Sequence, residues 1–297
     1  MRIGGVSRGP LQSDGGTERA MGLGVEGRGA ADERPLPAPH RLPLTPLIGF
    51  VLAVVLVQLL SFWWGAGLLV LAALLGLRSP LADRPLWWMT GLYIAGYGIS
   101  VYGKTDLLAF WHGSREAGIV LSRLSLLGFL LPLCWLARWR PGSTNYFALG
   151  SFRAPIHTPF IWRGIRDPVW RFLLIFLAVT GTVSVFLIDF GREDLPRLLG
   201  YGLLFAVVNA VLEEWLWRGY VLARLVDAAG ERAGLLFAGA AFGLYHYSIG
   251  FPWLVCLLFI PCGWLMGGVT IRSGGLLPVL ILHIVMNVVF VLTGLVF

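Results

Sequence analysis

The strongest constraint on the fold is a series of apolar runs long enough to cross a bilayer, which takes about 20 mostly apolar residues in a helix. The chain of 297 residues is 57% hydrophobic and only 13% charged, against roughly 25% charged in soluble domains. A helix satisfies all its backbone hydrogen bonds within one segment, as the bilayer interior requires. We therefore predict an integral membrane protein with an all-α fold, a polytopic membrane helix bundle.

The apolar runs divide the chain into three regions. Residues 1–45 are rich in Gly, Arg and Pro, so we expect a disordered N-terminal tail, in which Met21 is an alternative start. Residues 46–198 are predicted to hold the N-terminal transmembrane helices and an arginine- and tryptophan-rich interfacial segment at 138–171. Residues 199–297 are predicted to form the helical core. About eight spans are expected, at 47–77 (tilted, or with a turn at 65–67), 86–103, 119–137, 172–190, 199–225, 233–247, 253–271 and 276–297.

The net charge of +7 does not indicate nucleic-acid binding. The arginines stand at the ends of apolar runs, where cations meet anionic lipid headgroups. Arg123, near one end of the third run, is expected to extend towards the headgroups in this way. The three cysteines lie within apolar runs and are odd in number, which favours packing residues over disulfides or a metal site. No cofactor is predicted.

Three charged residues stand close together in the fifth apolar run, namely Glu213, Glu214 and Arg218. A charge at bilayer depth costs about 2.5–3.5 kcal/mol on insertion scales, so the cluster needs compensation or a purpose. Glu214 and Arg218 are four residues apart and can form an ion pair within one helix. Glu213 lies about 100° round the helix from Glu214. We therefore predict one neutralised carboxylate and a second that is available as a general base.

Further polar residues interrupt the last spans: His246 follows Phe242 by four residues, and His283 precedes Asn287 by four. Each has a structural explanation alone, as a packed histidine, an interhelical hydrogen bond or an ion pair. Together they favour a shared polar cavity between the last four helices. A carboxylate and a histidine can activate water, and a second histidine with an amide can stabilise an oxyanion. The same set (Glu213, His246 and His283) could instead bind zinc.

These residues resemble the three motifs of the CAAX prenyl protease and bacteriocin-processing (CPBP) intramembrane glutamic endopeptidase family. The matching elements are Glu213-Glu214-x-x-x-Arg218-Gly219, Phe242-x-x-x-His246 and His283-x-x-x-Asn287, and the stretch 263–278 is also similar. The resemblance implies that Glu213 is the base, helped by His246. It implies that His283 and Asn287 stabilise the oxyanion, while Glu214 and Arg218 support the structure.

The resulting hypothesis is an intramembrane endopeptidase, CAAX-protease-like, that acts on a peptide or protein substrate, prenylated or a peptide precursor. The family's eukaryotic enzymes often have Ala before the motif's arginine, whereas this chain has Trp217, which bears on prenyl specificity. The lipid bilayer is the expected surroundings, in the cell membrane of a prokaryote, with no nucleic-acid partner. The alternatives are a zinc-dependent membrane hydrolase, a non-catalytic immunity or scaffold protein that binds a peptide or partner, and a proton-coupled transporter.

Overall fold

The computed structural model describes residues 42–296, which form a helix bundle with one small β-hairpin. This confirms the predicted all-α membrane helix bundle. The tail predicted for residues 1–45 lies almost wholly outside the described residues, and the first helix already begins at Leu44. In chain order the elements are α1 Leu44–Leu59, α2 Phe62–Arg78, α3 Arg84–Ala109, α4 Arg115–Ser122, α5 Leu127–Trp139, β1 Pro155–Phe160, β2 Arg163–Pro168, α6 Val169–Val185, α7 Leu195–Glu214, α8 Ala223–Tyr245, α9 Trp253–Ser273 and α10 Leu277–Leu292.

Within residues 42–296, three continuous helical stretches are long and apolar enough to cross a membrane, Arg115–Trp139, Leu195–Ile249 and Trp253–Ser273. The 21 residues of α9 extend about 32 Å, close to the thickness of a bilayer's hydrocarbon core. Helices α1, α2, α6 and α10 are apolar but shorter. The long stretch that includes α7 and α8 bends sharply at Gly230, whose φ of 78° and ψ of 168° are not helical. This break separates the runs predicted as the fifth and sixth spans.

The first predicted span, 47–77, is wrong as a single helix. The chain is extended at Leu60 and Ser61, and α1 and α2 lie on either side of this break. Helix α1 packs against α3 and α8, whereas α2 packs along α3. The alternative turn at residues 65–67 is also wrong, because both of its glycines lie inside α2. Apolarity alone could not reveal the break, since the helices on both sides of it consist mainly of apolar residues.

The segment 138–171, predicted as interfacial, contains the two-stranded hairpin. Strands β1 and β2 are antiparallel, with Pro155 opposite Pro168 and Phe160 opposite Arg163. Trp162 at the turn donates a hydrogen bond to Glu231 of α8, at 3.1 Å between Nε1 and Oε2. The Nε of Arg272 in α9 donates to the carbonyl oxygen of Pro155 at 2.9 Å. The hairpin is therefore fastened to α8 beside its break at Gly230 and to the C-terminal end of α9, which the sequence analysis did not predict.

A buried aromatic cluster joins the N-terminal helices to the C-terminal core. Trp217 is its largest fully buried side chain. Its ring centre lies 6.0 Å from that of Tyr93 in α3 and 5.4 Å from that of Tyr245 in α8. Phe129 of α5 contacts both tyrosines, with ring centres 5.0 and 6.1 Å away. Because these rings pack against one another, α3 and α5 support the wall of the polar region described next.

Candidate active site

The polar residues predicted from sequence are held by four parts of the C-terminal core. Glu213 and Glu214 are the last two residues of α7, and a π-helical segment, Trp215–Leu222, follows them directly. Such segments interrupt the α-helical register and occur frequently at functional sites. The 3₁₀ turn after α8 begins with His246, and α10 contributes both remaining residues. All six predicted site residues are buried: Glu213, Glu214, Arg218, His246, His283 and Asn287.

The Glu214 carboxylate connects two elements of the core. Its Oε1 accepts a hydrogen bond from Arg218 Nη1 at 3.0 Å, the ion pair that the four-residue spacing predicts. The same oxygen lies 2.6 Å from Nδ1 of His283 in α10, 69 residues further along the chain. The Arg218 guanidinium also lies over the Phe242 ring, 4.2 Å from its centre. Since Glu214 binds groups on both helices, it positions the imidazole of His283.

The Glu213 carboxylate faces elsewhere. It lines a cavity of about 110 Å³, and neither Glu214 nor Arg218 is among the residues lining that cavity. Its Oε2 lies 3.7 Å from Nε2 of His283, a separation longer than a hydrogen bond. His283 thus stands between the two carboxylates, with Nδ1 towards Glu214 and Nε2 towards Glu213. The adjacent glutamates have different surroundings, as the 100° step of the helix predicts.

The imidazole of His246 is held on two sides. Its Nδ1 lies 2.7 Å from the carbonyl oxygen of Phe242, so Nδ1 carries the proton and donates it. The ring stacks on Phe259 of α9, with centres 4.1 Å apart and planes 18° apart. This arrangement leaves Nε2 without a proton in the neutral ring. A lone pair is therefore available on the side of the cavity that His246 lines.

Two asparagines also line the cavity. Asn287 of α10 is buried, and its Nδ2 has no hydrogen-bond partner among the described residues. Asn209 of α7 lies one turn before Glu213, and its Oδ1 is also buried without a hydrogen-bond partner among the described residues. Side-chain amides in a buried cavity are expected to bind a ligand or water. The cavity therefore presents unused donors and acceptors beside a carboxylate.

The structure brings together all of the predicted site residues and adds others that the sequence analysis did not assign to the site. The four-residue spacing does place Asn209 on the Glu213 side of the helix, but no role was assigned to it. Phe259, which stacks on His246, is one apolar residue within an apolar run, so the sequence did not distinguish it from its neighbours. Arg123 was expected to extend towards the headgroups, but it lies on the wall of the cavity. Its guanidinium carbon is 5.3 Å from the centre of the Phe205 ring in α7.

The alternative of a zinc site can be compared with the positions of the candidate metal-binding side chains. Within residues 42–296, no group of three or more His, Cys, Asp or Glu side chains is arranged to hold a metal ion. The His283 Nδ1 is engaged by Glu214, and the His246 Nδ1 donates to a backbone carbonyl. A zinc ion would therefore have to be bound by Nε2 of His246, Nε2 of His283 and the Glu213 carboxylate.

Fold and site together define a class of protein, an integral membrane helix bundle with a cavity lined by charged and polar side chains among its last helices. Comparison with protein families identifies the class more closely. Residues 195–289, about a third of the chain, match the family described as Rce1-like, type II CAAX prenyl endopeptidase Rce1-like. The resemblance to the CPBP family is thereby confirmed for this segment, and it indicates a protease kind of activity. Searches of curated proteins and of solved structures gave no match.

Proposed function

We propose that the protein is an intramembrane endopeptidase that hydrolyses a peptide bond near the membrane with glutamate- and histidine-activated water. The observation that carries the proposal is the orientation of Glu213. Its carboxylate lines a cavity shared with His246 and Asn287, while the neighbouring Glu214 is occupied by Arg218 and His283. A buried carboxylate that faces a cavity inside a membrane bundle, beside an already paired one, is best explained by chemistry.

The proposed mechanism assigns one role to each group. Glu213 accepts a proton from a water molecule, and Nε2 of His246 accepts a hydrogen bond from the same water and orients it. The resulting hydroxide attacks the scissile carbonyl carbon, whose oxygen becomes negatively charged. Asn287 Nδ2 donates to this oxyanion. Glu213 then returns the proton to the leaving amine, so that the carboxylate is regenerated.

His283 is proposed to donate a second hydrogen bond to the oxyanion, and this role requires a particular protonation state. Its Nδ1 proton is donated to Glu214, so only Nε2 is available to the oxyanion. Donation from Nε2 requires a second proton on the ring. The cluster of Glu213, Glu214, Arg218 and His283 would then hold two negative and two positive charges. The role proposed for Glu214 and Arg218 is to keep this imidazole in place.

The substrate is proposed to be a membrane-associated peptide or protein, prenylated or a peptide precursor, that reaches the cavity from within or beside the bilayer. The Rce1-like match supports a peptide substrate. Location in the plasma membrane of a prokaryote is part of the same proposal.

The test uses detergent-purified full-length protein with a library of prenylated and unprenylated peptides, and fragments are identified by mass spectrometry. We expect Glu213→Gln and His246→Ala each to lower turnover about 10²–10⁴-fold, the usual contribution of general acid–base catalysis. Glu116→Gln is the matched control, because Glu116 makes an exposed ion pair with Arg197 and does not line the cavity. Its turnover should equal that of the wild type.

Three results would contradict the proposed mechanism or favour one of the alternative functions. Normal turnover by Glu213→Gln would show that another group activates the water. Loss of cleavage on adding a chelator, with recovery on adding zinc, would favour the metal hydrolase. Peptide binding without cleavage, retained by Glu213→Gln, would favour the immunity or scaffold alternative.

A further inference from the structure

A second polar cavity adjoins the candidate active site. It encloses about 50 Å³ between α3, the 3₁₀ turn Arg123–Leu126 and the turn after α8. Arg123 and Ile249 line both cavities, so the two spaces share a wall. The lining includes two cations, Lys104 and Arg123, and no acidic side chain among the described residues. The formal charge of this lining is therefore positive, whereas the neighbouring cavity also contains the carboxylate of Glu213.

Arg123 lies well inside a candidate membrane span, Arg115–Trp139. The span changes from α-helix to 3₁₀-helix at this residue, and the tighter winding rotates its side chain relative to a continuous α-helix. Its Nε is buried without a hydrogen-bond partner, and no carboxylate pairs with its guanidinium within the described part of the chain. The guanidinium lies over the Phe205 ring on the wall of the first cavity, which supplies no negative charge. A buried cation without a carboxylate at this depth indicates a binding function.

The second cavity is lined by several hydroxyl groups, of which Ser248 already donates to the carbonyl oxygen of Tyr245 at 2.8 Å. Ser100 donates its proton to the Oγ of Ser125 at 3.3 Å, so Ser125 keeps its own proton for another acceptor. Ser122 differs, because its hydroxyl is used by the carbonyl oxygen of Ile119 at 2.7 Å. The hydroxyl of Tyr97 is a further donor on the wall. Cations and hydroxyl donors without an acid are the composition of an anion site.

The size of the space restricts the anion. One water occupies about 10–15 Å³ on the same measure, so about 50 Å³ admits a group of roughly three or four non-hydrogen atoms. A carboxylate has three, and its two oxygens match the planar donor pair of a guanidinium. A phosphate diester is larger and carries two ester branches that need an open path on both sides.

We propose that this cavity, centred on Arg123, is a subsite that binds a carboxylate of the peptide substrate. The proposal rests on the proposed function, because the subsite shares a wall with the cavity in which hydrolysis is assigned. The carboxylate can come from the C-terminus of the peptide or from an Asp or Glu side chain. Either source would hold the scissile bond a short distance away, beside Glu213. Arg123 is thus a specificity-determining residue supplied by helices outside the family match at 195–289.

The experiment compares four forms of the same short peptides with the full-length protein in phosphatidylcholine nanodiscs. The forms carry a free C-terminal carboxylate, a C-terminal carboxamide, a carboxamide with one internal Glu, and a carboxamide with Gln in that place. Binding is measured by fluorescence anisotropy with the Glu213→Gln protein, and kcat and KM are measured with Glu213 intact. A preference for the free terminus identifies the α-carboxylate as the ligand, whereas a preference for Glu over Gln identifies the side chain.

The variants test the residues. Arg123→Gln should reduce the preference for the carboxylate form about 10- to 100-fold, the effect of losing one charge-assisted pair. The change should appear in KM and affinity, and Arg123→Lys should restore part of it. Lys104→Gln and Ser125→Ala should give smaller reductions, and they disturb the fold less because Lys104 is exposed and Ser125 is small. Arg138→Gln, a charge removal at an exposed position of the same helical stretch, should keep the wild-type preference.

Failure of the subsite and failure of the proposed function give different results. Equal affinity of all four forms, or a preference that survives Arg123→Gln, overturns the subsite even if the peptides are cleaved. An Arg123-dependent preference in binding without any cleavage supports the subsite and counts against the protease. Arg123-dependent displacement of the peptides by phosphatidylglycerol, with no preference among the four forms, overturns the carboxylate ligand and assigns the cavity to a lipid headgroup.

Discussion

The interaction of Glu214 with both Arg218 and His283 makes a prediction that depends on burial. Glu214→Gln keeps the shape of the side chain and one oxygen acceptor but removes the negative charge. Glu214 and Arg218 are 0% and 2% exposed, so the guanidinium would stay out of water without its partner. Removal of one member of a buried pair costs about 3–5 kcal/mol, against about 0.6–2 kcal/mol for a neutral interhelical hydrogen bond in a membrane.

The assay is equilibrium unfolding of the purified protein in mixed detergent micelles, followed by far-UV circular dichroism. A loss of about 3–5 kcal/mol lowers the ratio of folded to unfolded protein about 10²–10⁴-fold. The second variant is Glu214→Gln combined with Arg218→Met. Because both charges are then absent, this double variant should be more stable than Glu214→Gln alone.

The control applies the same chemical change to an exposed pair. Glu116 lies 3.1 Å from Arg197 on the surface, and Glu116→Gln should leave the unfolding midpoint nearly unchanged. The reasoning would be refuted if Glu214→Gln lost less than about 1 kcal/mol, or if adding Arg218→Met destabilised it further. Either result would mean that water or another group compensates the buried guanidinium.

Two other predictions concern packing. Trp217→Ala should destabilise the protein by about 3–5 kcal/mol in the same unfolding assay, because a large buried aromatic leaves a cavity. Trp64→Ala, at a side chain that is 68% exposed, should have little effect, and equal losses at both positions would contradict the structure. Gly263→Ala should cost about 1–3 kcal/mol, because its Cβ would lie 2.9 Å from the Gly239 backbone where α8 and α9 meet. Gly181→Ala, in α6 with nothing within 4 Å, should instead be neutral or stabilising.

Local spacing predicted those features of the site that lie within one helix. The pair of Glu214 with Arg218 follows from a four-residue step, and the separate orientation of Glu213 follows from a single 100° step. Residues in one turn of a helix have little freedom to move apart. The sequence therefore sufficed to distinguish the two carboxylates before any tertiary contact was known.

The contacts between helices could not be predicted in the same way. The hydrogen bond from His283 to Glu214 joins residues far apart in the chain, and it gives His283 a partner that the sequence reasoning did not assign. Arg123 illustrates the same limit, because the direction of its side chain depends on the 3₁₀ turn and on how α4 packs against α7. The hairpin in 138–171 was missed because its strands are short and hold to core helices through single hydrogen bonds.

The ion pair of Glu214 with Arg218 affects how this segment enters the membrane during synthesis. Glu214 and Arg218 emerge from the ribosome together, whereas His283 follows 69 residues after Glu214. At about 5–20 residues per second, this interval lasts about 3–14 s. During that time the segment enters the bilayer without the histidine that completes its interactions. A carboxylate and a guanidinium one turn apart can neutralise each other at once, so Glu214 enters the bilayer with its own counterion and α10 joins a pair that is already formed.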